Sequence, residues 1–250
     1  MKVRPKALLS LFALISSACS IAPPTETPIA SIPEEWNRGT AEALLVMLPG
    51  RGDRASTFVD AGFLDRDDNP LFDIVAVDAH FGYYMKRSLL PRLHDDIIQP
   101  AIDAGYQSVW LLGVSMGGLG SLLYASEHPD KIQGVILLAP YLGDAKLAAE
   151  VQAAGGLSSW NPDESGFKDH EVAVWAWLKE SRAAKDPVPV ILGFGRDDKF
   201  ADSYAPLRVP LPELTVYEEA GSHNWATWHG LWRTIRADMQ SSPETKKATQ

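Results

Sequence analysis

Gly113-Val114-Ser115-Met116-Gly117 is the stretch on which the reading of this chain turns. An apolar run over 108–112 precedes it, and a helix-like run through Leu119, Leu122, Leu123 and Tyr124 follows. Strand, Gly-x-Ser-x-Gly turn and helix, in that order, describe a nucleophile elbow. The glycines have a physical reason: a sharp strand-to-helix turn draws backbone close around the serine, where a Cβ would clash. Such a turn lifts the Ser115 hydroxyl above the sheet edge, and the helix after it aims free N–H groups at the same spot. Taken alone, the pentapeptide also fits a glycine-rich turn at a helix start, since Gly117, Gly118 and Gly120 crowd together. The rest of the chain has to decide between the two.

Working outward, short apolar runs at 43–48, 73–77, 109–113, 134–139, 188–194 and 214–217 read as strands. They are continuous Val/Ile/Leu runs rather than alternating ones, as expected of strands covered on both faces. Helix-like stretches at 55–63, 88–104, 116–127, 171–182 and 227–239 lie between and after them. This alternation predicts an α/β fold: an open, mostly parallel, doubly wound sheet of about six strands with helices on both faces. In such sheets ligands bind beyond the carboxyl ends of the strands. The loops there are 49–52, 78–84, the turn at Ser115, 140–143, 195–198 and 220–223. Residues from about 144 to 185 form an insertion between the fourth and fifth strands. It reads as a small cap over the pocket, or as a solvated loop followed by an ordinary crossover helix.

A serine hydroxyl is a poor nucleophile at neutral pH; it needs a base within hydrogen-bond reach and a carboxylate to orient that base. Asp198 follows the fifth strand and His223 follows the sixth, each in a loop just past a strand. Ser, then Asp, then His is the order in which one large hydrolase class presents these groups. With Leu48-Pro49-Gly50-Arg51-Gly52, Gly113-Val114-Ser115-Met116-Gly117-Gly118, Gly195-Arg196-Asp197-Asp198 and Gly221-Ser222-His223-Asn224-Trp225 in hand, the chain resembles the α/β-hydrolase superfamily over roughly residues 41–240. Within it, the resemblance is to compact serine esterases. It departs from many of them in carrying Pro49-Gly50 where they carry His-Gly, a position that shapes the oxyanion loop and bears on substrate range.

The resemblance implies an α/β-hydrolase fold and a serine hydrolase, most directly a carboxylesterase, acting through Ser115, His223 and Asp198. An acyltransferase using the same triad, or a non-catalytic tethered binding protein that kept the fold, are the alternatives. The oxyanion would be met by two main-chain N–H groups, that of Met116 after the nucleophile and, by family analogy, that of Arg51. Asp197 competes with Asp198 for the acid; the Gly-x-x-Asp spacing from Gly195 selects Asp198. His80, Tyr83, Tyr141 and Trp225 are the candidate pocket residues, with Phe81, Tyr84 and Trp160 also near the rim; for His80, at a strand end, a structural hydrogen bond is the favoured reading. His229, His94, His128 and His170 read as helix-surface residues, His229 alternatively as a helix-packing one. Asp67-Asp68 and Asp95-Asp96 read as solvated loop and helix-start charges. No metal and no cofactor is expected: His-Glu-x-x-His, paired cysteines and a complete Gly-x-Gly-x-x-Gly are all missing from the sequence.

The first residues form a separate unit. Lys2, Arg4 and Lys6 precede an apolar run over 7–15, and Ser16-Ser17-Ala18-Cys19 closes it. Basic, then apolar, then small residues describe a secretory signal over 1–18. Cys19, the one cysteine of the 250 residues, stands where a bacterial lipoprotein signal would place the lipidated residue; soluble export with cleavage near Ala18 or Ala22 is the alternative. A membrane would then be met only through an N-terminal lipid anchor on an exported protein. Residues 19–40, rich in Pro and Thr, read as an extended tether, and 241–250 as a polar tail. The partner that the resemblance implies is a small-molecule ester. The chain carries 23 Lys and Arg against 32 Asp and Glu, a net charge of −9, and loss of Lys2, Arg4 and Lys6 with the signal would leave −12. With no basic patch, nucleic acid is an unsuitable partner.

Overall fold

Apolar runs without alternation can be satisfied only if both faces of the sheet are covered, and the central strands of this protein are buried along their whole length. The computed structural model describes residues 24–33, 39, 41–65 and 71–241. In chain order the elements are β1 (Ser31–Ile32), β2 (Ala43–Leu48), α1 (Ala55–Asp60), β3 (Phe72–Val77), α2 (Phe81–Met85) and α3 (Leu89–Leu93). A π-helical turn (His94–Ile98) joins α3 to α4 (Gln99–Asp103). Then follow β4 (Ser108–Val114), α5 (Met116–Glu127), β5 (Gly134–Leu138), α6 (Ala145–Ala153) and α7 (Asp169–Ala183). Last come β6 (Val190–Gly195), a 3-10 segment (Ala201–Leu207), β7 (Leu214–Glu219) and α8 (Trp225–Ser241). Among the described residues no helix is long and apolar enough to cross a membrane.

The sheet runs β1-β3-β2-β4-β5-β6-β7. Every pairing is parallel except that of β1 with β3. The chain builds outward from β2 to β3 on one side and to β4 and beyond on the other. The strand order therefore reverses between β2 and β4, and a crevice opens beyond their carboxyl ends. Leu48 pairs with Gly113 in the register of these two strands, so the loop 49–52 and the turn at Ser115 leave the sheet side by side.

Two expectations are refined. Among the described residues the sheet, expected with about six strands, has seven, the added one being β1, which lies inside the segment read as a tether. Ser31 and Ile32 pair with Val77 and Ala76, Ile29 is 4% exposed, and the Ile29 N–H donates to Asp96 Oδ2 at 2.8 Å. Asp96 in consequence is no solvated helix-start charge. Its side chain is 9% exposed and bonded to Arg92 Nη1 at 3.0 Å, whereas Asp95 is 55% exposed. Asp67, Asp68, Cys19 and the signal segment lie outside the described residues.

The expected helix 88–104 forms, with a wide turn in its middle. Pro100, the second residue of α4, has no N–H to return to the carbonyl of residue 96. Two helices escaped the sequence reading. α2 is five residues long, too short to show a period. α6 had a readable signal: Asp144 caps it by accepting from the Lys146 N–H at 2.9 Å, and Leu147, Ala148 and Val151 make its buried face. His94 and His128 are also less superficial than expected, for their rings stack at 4.7 Å and His94 Nδ1 meets Tyr124 Oη at 2.9 Å.

Candidate active site

The elbow forms where β4 turns into α5. Ser115 has φ 51° and ψ −112°, a conformation that costs on the order of 1–3 kcal/mol in a residue with a side chain. The surroundings hold it. The Ser115 N–H donates to the Leu138 carbonyl at 2.9 Å, and its own carbonyl accepts from Gly118 at 3.0 Å and Tyr141 at 2.8 Å. A Cβ on Gly117 would collide with the carbonyl oxygen of Leu48, the last residue of β2, so glycine is what lets α5 start this close to the neighbouring strand.

Two further loops converge on that serine. Gly195 ends β6 against the main chain of Gly221, with no room for a Cβ between them, and the Asp197 N–H donates to the Gly221 carbonyl at 2.8 Å. The acid loop and the histidine loop are thereby held together. His223 Nε2 lies 3.0 Å from Ser115 Oγ, and His223 Nδ1 lies 2.8 Å from Asp198 Oδ2. An ionised carboxylate only accepts, so Nδ1 carries the proton and Nε2 is free to accept from the serine. Asp198 Oδ1 is occupied by the Phe200 N–H at 2.8 Å. The Asp198 side chain is fully buried and that of His223 is 14% exposed. Asp197, its rival in the sequence, is exposed.

The imidazole is also gripped by rings. Phe200 meets it edge-on at 5.1 Å and Trp228 at 4.8 Å. Phe200 was not among the candidates. Its signal was its place two residues after Asp198, where it both donates to the Asp198 carboxylate and packs on the His223 ring.

The loop after β2 supplies the other side of the crevice. A Cβ on Gly50 would lie 3.6 Å from Ser115 Cβ, which measures how near this loop runs. Met116 is the first residue of α5, so its N–H has no carbonyl a turn earlier in the helix. The Arg51 side chain is exposed and its guanidinium lies 4.8 Å over the Phe81 ring. Asp53 follows in the same loop. Burial raises its carboxyl above the ordinary range, opposed by a hydrogen bond from Trp225 and by the nearby His223.

A cavity of about 1260 Å³ opens at Ser115. Of the candidate pocket residues Tyr141 lines it, as do Arg51 and Met116, while His80, Tyr83 and Trp225 do not. The reasons are physical. His80 is 4% exposed and caps α2, its Nδ1 accepting from the Gly82 N–H at 3.1 Å. Desolvation, then the charge of Arg54, lowers its pKa from the ordinary 6.5. Tyr83 is covered by the N-terminal segment, its Oη bonded to the Glu26 carbonyl at 3.0 Å and the Glu26 N–H at 2.9 Å. Trp225 turns away into Phe58 and Phe63, at 5.1 and 5.5 Å, and its Nε1 donates to Asp53 Oδ1 at 3.3 Å. Tyr141 stays at the cavity wall, 5.7 Å from Phe200, and donates to Glu171 Oε1 at 3.3 Å. His170 is exposed and also lines the cavity.

The insertion between β5 and β6 holds α6 and α7. The residues leading into and starting α7, Lys168 to Glu171, form part of the cavity wall. Trp175 anchors α7 by donating to the Leu142 carbonyl at 2.9 Å. Among the described residues no cluster of His, Cys, Asp and Glu is arranged to hold a metal ion.

Residues 103–191 match the sequence profile of the alpha/beta hydrolase fold. No curated protein sequence matches the chain. Among solved structures, the chain is similar to an S-formylglutathione hydrolase from Staphylococcus aureus, with 17% identity, 79% of this chain and 82% of that one covered, and a TM-score of 0.52. It is similar to Est1E from Butyrivibrio proteoclasticus, with 17% identity, coverage of 82% and 90%, and a TM-score of 0.52. A haloalkane dehalogenase from Agrobacterium tumefaciens shares 14% identity over 80% of this chain and 89% of that one, with a TM-score of 0.53. The chain has the α/β-hydrolase fold. The chemistries of these relatives differ, so the fold does not by itself name the reaction.

Proposed function

On this α/β-hydrolase fold, we propose that the protein is a serine hydrolase acting on carboxylic esters. The observation that carries the reading is the unbroken relay from Ser115 Oγ to His223 Nε2 at 3.0 Å and from His223 Nδ1 to Asp198 Oδ2 at 2.8 Å. His223 takes the hydroxyl proton as Ser115 Oγ attacks the ester carbonyl. Asp198 keeps the imidazole in the tautomer that can accept, and its charge favours the imidazolium that forms. The N–H groups of Met116 and Arg51 face the oxygen on which negative charge develops. Collapse of the tetrahedral intermediate breaks the bond to the alcohol oxygen, which leaves with the proton from His223. Water, deprotonated by the same imidazole, then releases the acyl group and restores the Ser115 hydroxyl.

The relay would serve an amide or thioester leaving group with the same proton; carboxylic esters are proposed because the loops around Ser115, Asp198 and His223 resemble those of compact serine esterases. The test is a fluorophosphonate probe with p-nitrophenyl butyrate turnover. Wild type should be labelled and active, and Ser115→Ala should be neither. Equal labelling of both proteins would remove the reading.

The same reading extends to location. An exported protein held by a lipid on Cys19 fits the basic, apolar and small-residue order of residues 1–19. Metabolic labelling with a palmitate analogue should mark the wild-type protein in a bacterial host and leave Cys19→Ser unmarked. Labelling of neither would leave ordinary cleavage and soluble export.

A further inference from the structure

The cavity at Ser115 is elongated, and its direction follows from which residues line it. Met116, Leu119, Leu123 and Glu127 all face it. Spaced by three or four, they make one stripe along α5 (Met116–Glu127). At 1.5 Å per residue, Leu119 lies about 6 Å, Leu123 about 12 Å and Glu127 about 18 Å along the helix from Ser115. The floor of the cavity is therefore a track that begins at the nucleophile and ends at an exposed carboxylate. One wall carries the apolar side chains of Tyr84, Leu89, Leu90 and Pro91, with the exposed Arg87 among them. Tyr84 fixes that wall to the elbow, since its Oη donates to the Met116 carbonyl at 3.1 Å. The opposite wall is the start of α7, where Lys168, Asp169 and His170 put charge at the rim rather than on the floor.

We propose that this track is an acyl-chain site, and that the ester cleaved at Ser115 carries a long, unbranched acyl group lying along α5. The proposal rests on the hydrolase reading for the carbonyl's position, and the occupant follows from continuity with Ser115. A chain whose carbonyl carbon is at the serine has a continuous apolar floor to run along, past Leu119 and then Leu123. Its length exceeds what a small acyl group needs. The polar rim and the exposed Glu127 leave the chain's far end near water. Leu119 and Leu123 are then the residues that set chain length, each at its own distance from the bond cleaved.

The experiment is a p-nitrophenyl ester series, acetate, butyrate, octanoate and laurate, on wild type, Leu119→Trp and Leu123→Trp, with thermal melts to show that each variant is folded. Each methylene buried should raise kcat/KM roughly three- to fourfold, so octanoate, with four more, should exceed butyrate by on the order of a hundredfold. Leu123→Trp should lower laurate at least about tenfold and spare butyrate, whereas Leu119→Trp should also lower octanoate. Ser115-dependent turnover that falls steadily with chain length, or variants that lower all four esters alike, would overturn the track and leave the hydrolase reading intact. A second measurement does not depend on turnover. Lauric acid titrated into Ser115→Ala should bind, and Leu123→Asp in that background should weaken binding at least about tenfold. Absence of binding, or binding indifferent to position 123, would overturn the track whether or not any ester is cleaved.

Discussion

Two neighbouring carboxylates in the acid loop show how much a single position can decide. Asp198 is buried, with one oxygen on His223 and the other on the Phe200 N–H; Asp197 is exposed. Asp198→Asn should lower kcat by about 10⁴, because an amide in that place favours the wrong imidazole tautomer. Asp197→Asn should leave kcat within about twofold, since exposed groups away from the reacting atoms contribute little. Steady-state kinetics on the two variants makes the comparison, and equal losses would refute the assignment. Sequence spacing had already favoured Asp198, yet the choice between adjacent aspartates needed the direction in which each side chain leaves the loop.

At the scale of elements, the β4–α5 junction and α2 are the informative pieces. Gly117→Ala would press a methyl into the Leu48 carbonyl, at a cost of about 1–3 kcal/mol. Any relief would move Ser115 relative to the loop 49–52. A displacement of ~1 Å can cost ~10²-fold in rate, so kcat should fall by that order while the protein still melts cooperatively. α2 carries a pH dependence. His80 Nδ1 accepts from the Gly82 N–H, which it can do only while that nitrogen is unprotonated. Its pKa is lowered from 6.5, so the folded state prefers the neutral ring. The stability it contributes is full above 6.5 and is lost as pH falls below 6.5 through the lowered value. His80→Asn keeps a capping side chain without a titration. Its Tm should therefore fall less than that of wild type between neutral pH and mildly acidic pH, and parallel Tm profiles would contradict this account.

For the whole molecule, residues 24–33 are a packed part of the domain. Ile29 is buried, β1 completes the sheet edge, and Glu26 satisfies the Tyr83 hydroxyl. A chain beginning at residue 24 keeps all of these contacts and is the reference for the comparison. One beginning at residue 39 exposes the Ile29 site and leaves Asp96 and Tyr83 without those bonds, at a cost on the order of 3 kcal/mol or more. For a chain of this length that corresponds to a Tm lower by at least about 6 °C, readable by calorimetry; equal melting of the two would show the segment to be dispensable. The same packing explains why His80 and Tyr83 are not at the cavity. Both are engaged beneath the N-terminal segment or in capping a helix.

Much of the scaffold was legible because it is local or periodic. Unbroken apolar runs bounded by turn residues are what central strands covered on both sides require, and the pentapeptide around Ser115 can turn sharply because its glycines allow it. The chain order of Ser115, Asp198 and His223 was also readable, since each follows a strand and all strands of a parallel sheet end at one rim. What the sequence left open depends on contacts between distant segments. Ser31–Ile32 is a strand only because the β3 edge is there to pair with. His80 and Trp225 sit in the expected loops yet face inward, toward α2 in one case and toward Phe58 and Phe63 in the other. Loop position along a chain tells where a residue is anchored; only the packed neighbours decide which way its side chain points, because that direction is set by which surface is left to bury it.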